Sequence, residues 1–427
     1  MGTARPLYKS FLSILQEELV PALGCTEPIA IAYAAAVAAH RAGGPPRSIL
    51  AECSGNIIKN VKSVTVPNSG GMRGIAAAAL LGALGGDPDR QLEVLQTVCP
   101  QQIAQARAME AAGVCRVSLA RDQPGLYLCL TLTSDFHTVS VTICGTHTNI
   151  TRLTQDGRTV YQSDDTGQEC VDRSALSLAS ILDFAQSARI EDLRSILLPQ
   201  IQYNTAIAEE GLRGAYGAQV GRTLMTYAHA GDLFVRLRAA AAAGSDARMS
   251  GCTLPVVINS GSGNQGITVS VPVILYGRSQ GVPEDMIYRA LALANLTAIY
   301  QKTGIGRLSA YCGAVSAGAG AGAGIAYLCG GGYDEVVHTV VNALAVVSGI
   351  VCDGAKASCA AKIASAVDAG ILGYNMYIRG QQFYGGDGIV TKGVEATIAN
   401  VGRLGKDGMK ATNEEIIRIM VGDKSLC

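Results

Sequence analysis

The chain has 427 residues, of which 34 are lysine or arginine and 34 are aspartate or glutamate, so its formal net charge is zero. This balance argues against a protein that binds nucleic acid or anionic membranes. Charged residues make up only 16% of the chain, and such a low share predicts a buried interface between copies of the chain, hence a homo-oligomer.

The 13 cysteines are an odd number, spread over the whole chain. The N-terminal residues 1–19 form an amphipathic stretch that contains glutamates and has no cleavage site, so we predict no secretory signal. Reduced thiols and a cytoplasmic location follow from these two observations.

The first elements are predicted to be helices. Residues 7–20 place apolar side chains at helical spacing, and Pro21 and Gly24 end that helix. A second, apolar helix is predicted from Pro28 to His40, with Cys25 just before its N-terminus. The positive end of a helix lowers the pKa of a nearby thiol, which makes Cys25 a candidate reactive residue. The alternative is an ordinary loop cysteine.

Residues 46–165 have a different pattern. Short β-branched or alternating runs predict strands between turns, among them 114–119, 126–133, 137–144 and 148–153. The loop at 68–74 reads N-S-G-G-M-R-G and precedes a predicted helix at 75–84. Such a loop offers free backbone N–H groups to an anion. We therefore predict an α+β lobe here, with Ser69 and Arg73 as second choices for substrate contacts.

From residue 174 onward the pattern is mostly helical, and a polar loop at 259–266 reads N-S-G-S-G-N-Q-G. Its glycines match G-x-G-x-x-G, but the β-branched run 267–274 with Pro272 argues against the helix that a dinucleotide site needs. A loop that holds a substrate carboxylate fits better. The candidate residues are Asn259, Ser260, Ser262 and Asn264; the alternative is that they only build the turn.

The stretch from Cys312 to Cys359 contains four cysteines in 48 residues. Thiols in this density suit a soft metal or an iron–sulfur cluster, whereas the alternative is that they are buried small side chains. Residues 310–332 are 23 uncharged residues, long enough to span a bilayer. Because they are mostly glycine and alanine, which insert poorly, we predict a buried, closely packed helix and no membrane contact.

Four motifs together resemble the L-cysteine desulfidase family over essentially the whole chain. They are G-C-T-E-P at 24–28, N-S-G-G-M-R-G at 68–74, N-S-G-S-G-N-Q-G at 259–266 and C-D-G-A-K-A-S-C-A-x-K-I at 352–363. The C-terminal half is also distantly similar to the α-domain of iron–sulfur L-serine dehydratases. Those enzymes place a second cysteine roughly forty residues after the first and a third in a C-D-…-C segment. Here Cys352 follows Cys312 by 40 residues and Cys359 follows 7 later, a shorter interval than in the dehydratases.

The resemblance implies a [4Fe–4S] cluster held by Cys312, Cys352 and Cys359, with one iron left open and no pyridoxal phosphate. It further implies Cys25 in the active site, either as base or as a displaceable fourth ligand. Lys356 is a possible base if it is buried. Cys329 is interpreted as a core residue, and Cys427 is left out of the ligand set. None of the histidines at 40, 137, 147, 229 and 338 is assigned a role.

The expected fold is α+β: a mostly helical catalytic domain from residues 1–45 and 166–427, with an inserted α/β lobe at 46–165. The implied activity is iron–sulfur-dependent β-elimination of L-cysteine to pyruvate, ammonia and hydrogen sulfide. The alternatives are an L-serine dehydratase on the same scaffold and a non-catalytic protein that binds metal or cysteine.

Overall fold

The computed structural model describes residues 4–123, 125–164, 171–227 and 231–421. The first half of the chain mixes helices and strands. Its helices are α1 (Ala4–Glu18), α2 (Thr26–Ala42), α3 (Gly55–Val61), α4 (Gly74–Gly85) and α5 (Pro100–Ala111), with a 3₁₀ helix at Pro88–Glu93. Its strands are β1 (Pro21–Leu23), β2 (Ser48–Cys53), β3 (Cys115–Leu119), β4 (Tyr127–Thr133), β5 (Thr138–Cys144), β6 (Ile150–Gln155) and β7 (Arg158–Gln162).

The second half is almost entirely helical. Its helices are α6 (Leu178–Ser187), α7 (Ile190–Arg213), α8 (Val220–Tyr227), α9 (Leu233–Met249), α10 (Gly263–Ser279), α11 (Glu284–Ile305), α12 (Gly313–Leu328), α13 (Tyr333–Val347), α14 (Cys359–Tyr377), α15 (Val394–Arg403) and α16 (Lys410–Val421). A short strand β8 (Pro255–Val257) pairs with β1, and a π-helical turn spans Leu404–Gly408. The predicted α+β class is confirmed.

A six-stranded sheet forms the strand-rich part, in the order β3-β2-β4-β5-β6-β7. Strands β2 and β3 are parallel, and the other pairs are antiparallel. Every second residue of β4 and β5 is buried, which is the alternation that predicted them. Leu130 of β4 lies opposite Val141 of β5, and both belong to the core that this sheet shares with α2. Strand β7 was not predicted, because all its residues are exposed and show no alternation.

Helix α2 packs with the sheet rather than with the helical part. Its alanines and isoleucines lie in the same core as β4 and β5. It approaches α4 so closely that a methyl group at Gly82 would lie 2.2 Å from the carbonyl oxygen of Ala32. This packing fixes the N-terminus of α2, where Cys25 lies. The predicted domain division at residue 45 stays a prediction.

The glycines of α12 allow the close packing that the sequence predicted. A methyl group at Gly318 would lie 2.3 Å from the carbonyl oxygen of Ala366 in α14, and one at Gly322 would lie 2.7 Å from that of Gly370. On another face of α12, Gly320 lies against Ala294 of α11. Helix α12 is therefore the buried centre of the helical part. Within the described ranges, no helix is both long enough and apolar enough to span a membrane.

One sequence prediction in this region was wrong, and a proline lies inside each of two helices. Helix α7 continues through Pro199, because buried side chains such as Leu197 and Ile201 hold both sides against the core. The run 267–274 was read as unlike a helix, yet α10 begins at Gly263 and includes Pro272. Burial of this run outweighs the low helix propensity of its β-branched residues. The strand before it pairs antiparallel with β1, so the match to G-x-G-x-x-G still lacks a βαβ unit.

Asp246 holds the start of helix α8. It lies buried on α9, and its Oδ2 accepts a hydrogen bond from the backbone N–H of Gly221 at 3.0 Å. Its Oδ1 has no hydrogen-bond partner among the described residues. Burial raises the pKa of this carboxyl to about 6, although the backbone N–H groups of Gly221 and Val220 oppose the shift.

Asp246→Asn is expected to raise the free energy of unfolding by about 1–2 kcal/mol at pH 8 and to change it little at pH 4. The folded-state pKa lies above the unfolded one, so the stability contributed by this group is present at low pH and is lost as the pH rises through about 6. An amide keeps the acceptor for Gly221 without the buried charge. Urea unfolding at both pH values measures the change, with the exposed Asp183→Asn as control. Destabilisation by Asp246→Asn at pH 8 would contradict this account.

Candidate active site

Two parallel helices bring Cys312 and Cys359 together. The glycine contacts between α12 and α14 keep a constant offset of 48 residues, so the two helices run in the same direction and begin side by side. Cys312 is the residue before the first turn of α12, and Cys359 is the first residue of α14. Both thiols therefore lie at the same end of the helical part.

A short backbone pairing adds Cys352 to them. The N–H of Cys312 donates to the carbonyl of Ile350 at 3.1 Å, and the N–H of Cys352 donates to that of Ala310 at 2.6 Å. The chain then turns at Gly354, and two observations require glycine there. Its φ is +95°, and a methyl group at this position would lie 2.2 Å from the carbonyl oxygen of Lys59. The predicted C-D-G-A-K-A-S-C turn thus brings both its cysteines to one place.

A cavity of about 100 Å³ lies where helices α2, α10, α12 and α14 begin. Each helix start carries a partial positive charge that stabilises anions. The cavity is lined by four thiols and four cationic side chains: Cys25, Cys312, Cys352, Cys359, Lys59, Arg248, Lys302 and Arg307. This arrangement suits bound groups of negative charge.

Lys302 is a buried amine on this wall. Lys302 is 5% exposed, and its side-chain amine forms no hydrogen bond or ion pair with another residue of the described chain. Burial lowers its pKa to about 8, while the thiols of Cys352 and Cys312 act in the opposite direction. A lysine with such a pKa is partly neutral near pH 8 and can accept a proton.

Cys25 occupies the predicted place before α2, but its protonation differs from the prediction. Burial and the neighbouring carboxylate of Glu27 raise the pKa of the thiol well above its usual value, against the pull of Arg248. The Sγ of Cys25 donates to Oε2 of Glu27 at 3.2 Å. The expected lowering of the pKa by the helix end is therefore wrong, because the sequence revealed neither the burial nor the carboxylate.

Glu27 is a buried carboxylate that accepts several hydrogen bonds next to Cys25. It accepts hydrogen bonds from Oγ1 of Thr26 at 3.1 Å and from Nδ2 of Asn60 at 2.7 Å, as well as from Cys25. Burial raises the pKa of the Glu27 carboxyl, but the nearby His147 and the hydrogen bonds from Cys25 and Asn60 outweigh it and lower the pKa overall. Glu27 thus stays charged and fixes the thiol of Cys25.

The loop before α10 contributes only part of what was predicted. Ser262 and Asn264 line the cavity. Asn259 is fully buried and donates to Oδ1 of Asn295 at 2.9 Å, and Ser260 donates to Oδ1 of Asn259 at 2.9 Å. These two residues shape the loop and lie outside the cavity lining.

Three other predicted residues are not brought to the cavity. Ser69 is buried and donates to the carbonyl of Met72 at 3.2 Å, and Arg73 precedes the first turn of α4. Lys356 pairs with Oδ2 of Asp353 at 2.7 Å and is partly exposed, so the burial that its role as a base requires is missing.

The remaining cysteine predictions have mixed outcomes. Cys329 was interpreted as a core residue, which is wrong: it is exposed at the far end of α12, with its Sγ 2.9 Å from the hydroxyl of Tyr276. The tight glycine packing ends before this last turn, so the thiol faces outward. Cys427 and His229 lie outside the described residues.

The donor set fits a cluster better than a single ion. Within the described chain, no three His, Cys, Asp or Glu side chains converge closely enough to hold one metal ion. A cluster instead binds each thiolate through a different iron, so its cysteines stand apart around it. Thiols at helix starts, facing the unpaired cation of Lys302, match the negative charge of such a group.

Sequence reasoning missed Glu27, Arg248 and Lys302. Each is a charged residue on a helix that is rich in small or apolar residues, and this is the signal that was available. A charge in such a helix is costly to bury, which points to function.

Comparisons with known proteins cover nearly the whole chain. Residues 89–418 match the family model described as serine dehydratase alpha chain. A UPF0597 protein from Desulfitobacterium hafniense is 54% identical over 422 residues, which are 98% of this chain and 98% of the relative. One from Lachnoclostridium phytofermentans is 51% identical over 97% of this chain and 100% of the relative. A UPF0597 protein from Treponema denticola is 44% identical over 99% of this chain and 100% of the relative.

Proposed function

We propose a function from one established premise, which is that the chain belongs to the serine dehydratase alpha-chain family. The predicted similarity to the α-domain of the serine dehydratases is thereby confirmed, and the family indicates a lyase-type enzyme of the iron–sulfur dehydratase kind. Within that class, the chain removes sulfide from L-cysteine by β-elimination, without pyridoxal phosphate. The products are pyruvate, ammonia and hydrogen sulfide.

The observation that carries this proposal is the meeting of three thiols at one cavity. Cys312, Cys352 and Cys359 line it beside the starts of α12 and α14. These three residues would hold the cluster. When bound, a [4Fe–4S] cluster with one open iron would supply a Lewis acid that stabilises the leaving β-substituent.

The chain's own residues move the proton. The base takes the α-proton of cysteine, the Cβ–S bond breaks, sulfide leaves and aminoacrylate forms; water then converts aminoacrylate to pyruvate and ammonia. Lys302 suits the base, because burial lowers its pKa to about 8. Burial and the neighbouring Glu27 keep Cys25 a neutral thiol, which favours a part in positioning over a part as base or as fourth ligand, because both of those roles need the thiolate.

L-Cysteine is expected to be turned over at least about tenfold more efficiently than L-serine, since a soft sulfur suits iron better than a hydroxyl does. The family model's own description favours serine as the second candidate. Anaerobically purified protein is assayed for iron, for sulfide from cysteine and for pyruvate from both substrates. Faster turnover of serine would identify a serine dehydratase. Bound iron without any turnover would instead favour a protein that only binds metal or cysteine.

The cytoplasmic location and the homo-oligomeric state remain predictions. Size-exclusion chromatography with light scattering tests the second of them directly.

A further inference from the structure

Arg248 is a buried cation without an ionic partner. It lies near the end of α9, is 2% exposed, and takes part in none of the ion pairs between described residues. Its Nε also has no hydrogen-bond partner in the described part of the chain. An unpaired buried guanidinium is costly, because the charge has lost its water and gained nothing in return. Such a group marks a place where an anion binds.

The surroundings of Arg248 add to this positive charge. A methyl group at Gly263 would lie 2.4 Å from Nε of Arg248, so the guanidinium packs directly against the first residue of α10. The side chain of Ser262, at the N-cap position, makes no capping hydrogen bond there. Arg248 and the positive helix start therefore repel each other unless an anion binds beside them, and both offer N–H donors to such an anion.

The same cavity also offers hydrogen-bond acceptors, two of them in the first turn of α10. Three amide oxygens on its wall have no hydrogen-bond partner among the described residues: Oδ1 of Asn60, Oδ1 of Asn264 and Oε1 of Gln265. The amide of Gln265 lies against Gly313, directly after Cys312, where a methyl group would come within 2.4 Å of it. Unsatisfied neutral acceptors suit an ammonium group, which carries three donors and no acceptor.

We infer that this cavity recognises the zwitterion of an α-amino acid, with Arg248 and the start of α10 binding the carboxylate and the amides of Asn60, Asn264 and Gln265 accepting from the ammonium. The inference rests on the proposed function and identifies the part of the substrate that the protein recognises. The side chain of the amino acid then points towards Cys312, Cys352 and Cys359. Free carboxylate and free amine are both required, so esters and simple thiols are poor ligands.

Binding of L-alanine, which has no β-leaving group, tests the inference without turnover. Isothermal titration of the anaerobically purified protein compares L-alanine with propionate and ethylamine. We expect L-alanine to bind at least about tenfold more tightly than either fragment. Arg248→Met is expected to weaken the binding of L-alanine by about 100-fold and to change the binding of ethylamine little. Gln265→Leu is expected to weaken the binding of L-alanine and ethylamine but to leave the binding of propionate unchanged.

Thermal stability separates a binding role from a structural one. Removal of an unpaired buried charge is expected to leave the melting temperature of Arg248→Met unchanged or higher, with iron content retained. Arg248→Lys keeps the positive charge but loses the planar set of guanidinium N–H donors. Its affinity for L-alanine is expected to fall about tenfold. The exposed Arg222→Met is the control and should bind like the wild type.

Equal affinity of wild type and Arg248→Met for L-alanine would overturn the inference. Loss of iron in Arg248→Met would overturn it too, because the guanidinium would then serve the cluster instead of the substrate. The absence of iron and of sulfide release from a wild type that still binds L-alanine would contradict the proposed reaction alone.

Discussion

Replacement of Cys312, Cys352 or Cys359 by alanine is expected to leave a folded protein that has lost most of its iron and at least about 10³-fold of its turnover of L-cysteine. The three thiols line one cavity from two chain segments, which are the start of α12 and the turn at 352–359. Each thiolate would hold a different iron, so a cluster that lacks any one of the three ligands would be released more easily from the protein. Iron and sulfide analysis of anaerobic preparations measures the first effect, and sulfide release measures the second.

Two other variants complete this series. Cys329→Ala is the matched control, because this thiol lies exposed at the opposite end of α12 and should leave iron and activity unchanged. Cys25→Ala is expected to lose activity while it keeps its iron. Full retention of iron by Cys359→Ala would show that another thiol is the third ligand. Loss of iron from Cys25→Ala would instead place Cys25 among the ligands.

Much of the frame around the cavity could be predicted from the sequence. Glycines at alternate positions between 318 and 324 predicted a helix that packs at close range, and that packing sets α12 parallel to α14. Alternating burial predicted β4 and β5, whereas β7 was missed because exposed strands leave no such pattern. Local patterns of size and polarity are visible in a sequence wherever one face of an element is buried.

The chemistry of the cavity depends on contacts that no local pattern contains. Arg248 and Lys302 come from α9 and α11, and the face of each helix that meets the cavity is decided by packing among several helices. The error over Cys25 has the same origin. Its position at a helix start was visible in the sequence, but the burial and the carboxylate of Glu27 that reverse the pKa shift arise from the folded chain.

Lys302→Met is expected to lower kcat/KM for L-cysteine by about 10³-fold with iron content unchanged. The amine lies on the cavity wall, it is buried, and its pKa is lowered to about 8. A base must be neutral to accept the α-proton, so wild-type kcat/KM should rise with pH and level off above about 8. Lys302→Met should lose this rise. Lys302→Arg should be as inactive as Lys302→Met, because a guanidinium keeps its proton at every accessible pH.

The pH profile decides between the two candidate bases. If Cys25 took the α-proton, its raised pKa would place the rise at higher pH, and Lys302→Arg would keep that rise while Cys25→Ala lost it. Lys59→Arg is a useful comparison, since Lys59 lines the same cavity but already donates to Oδ1 of Asn413 at 2.7 Å. Loss of activity in Lys302→Arg but not in Lys59→Arg would separate proton transfer from the positive charge that both lysines supply.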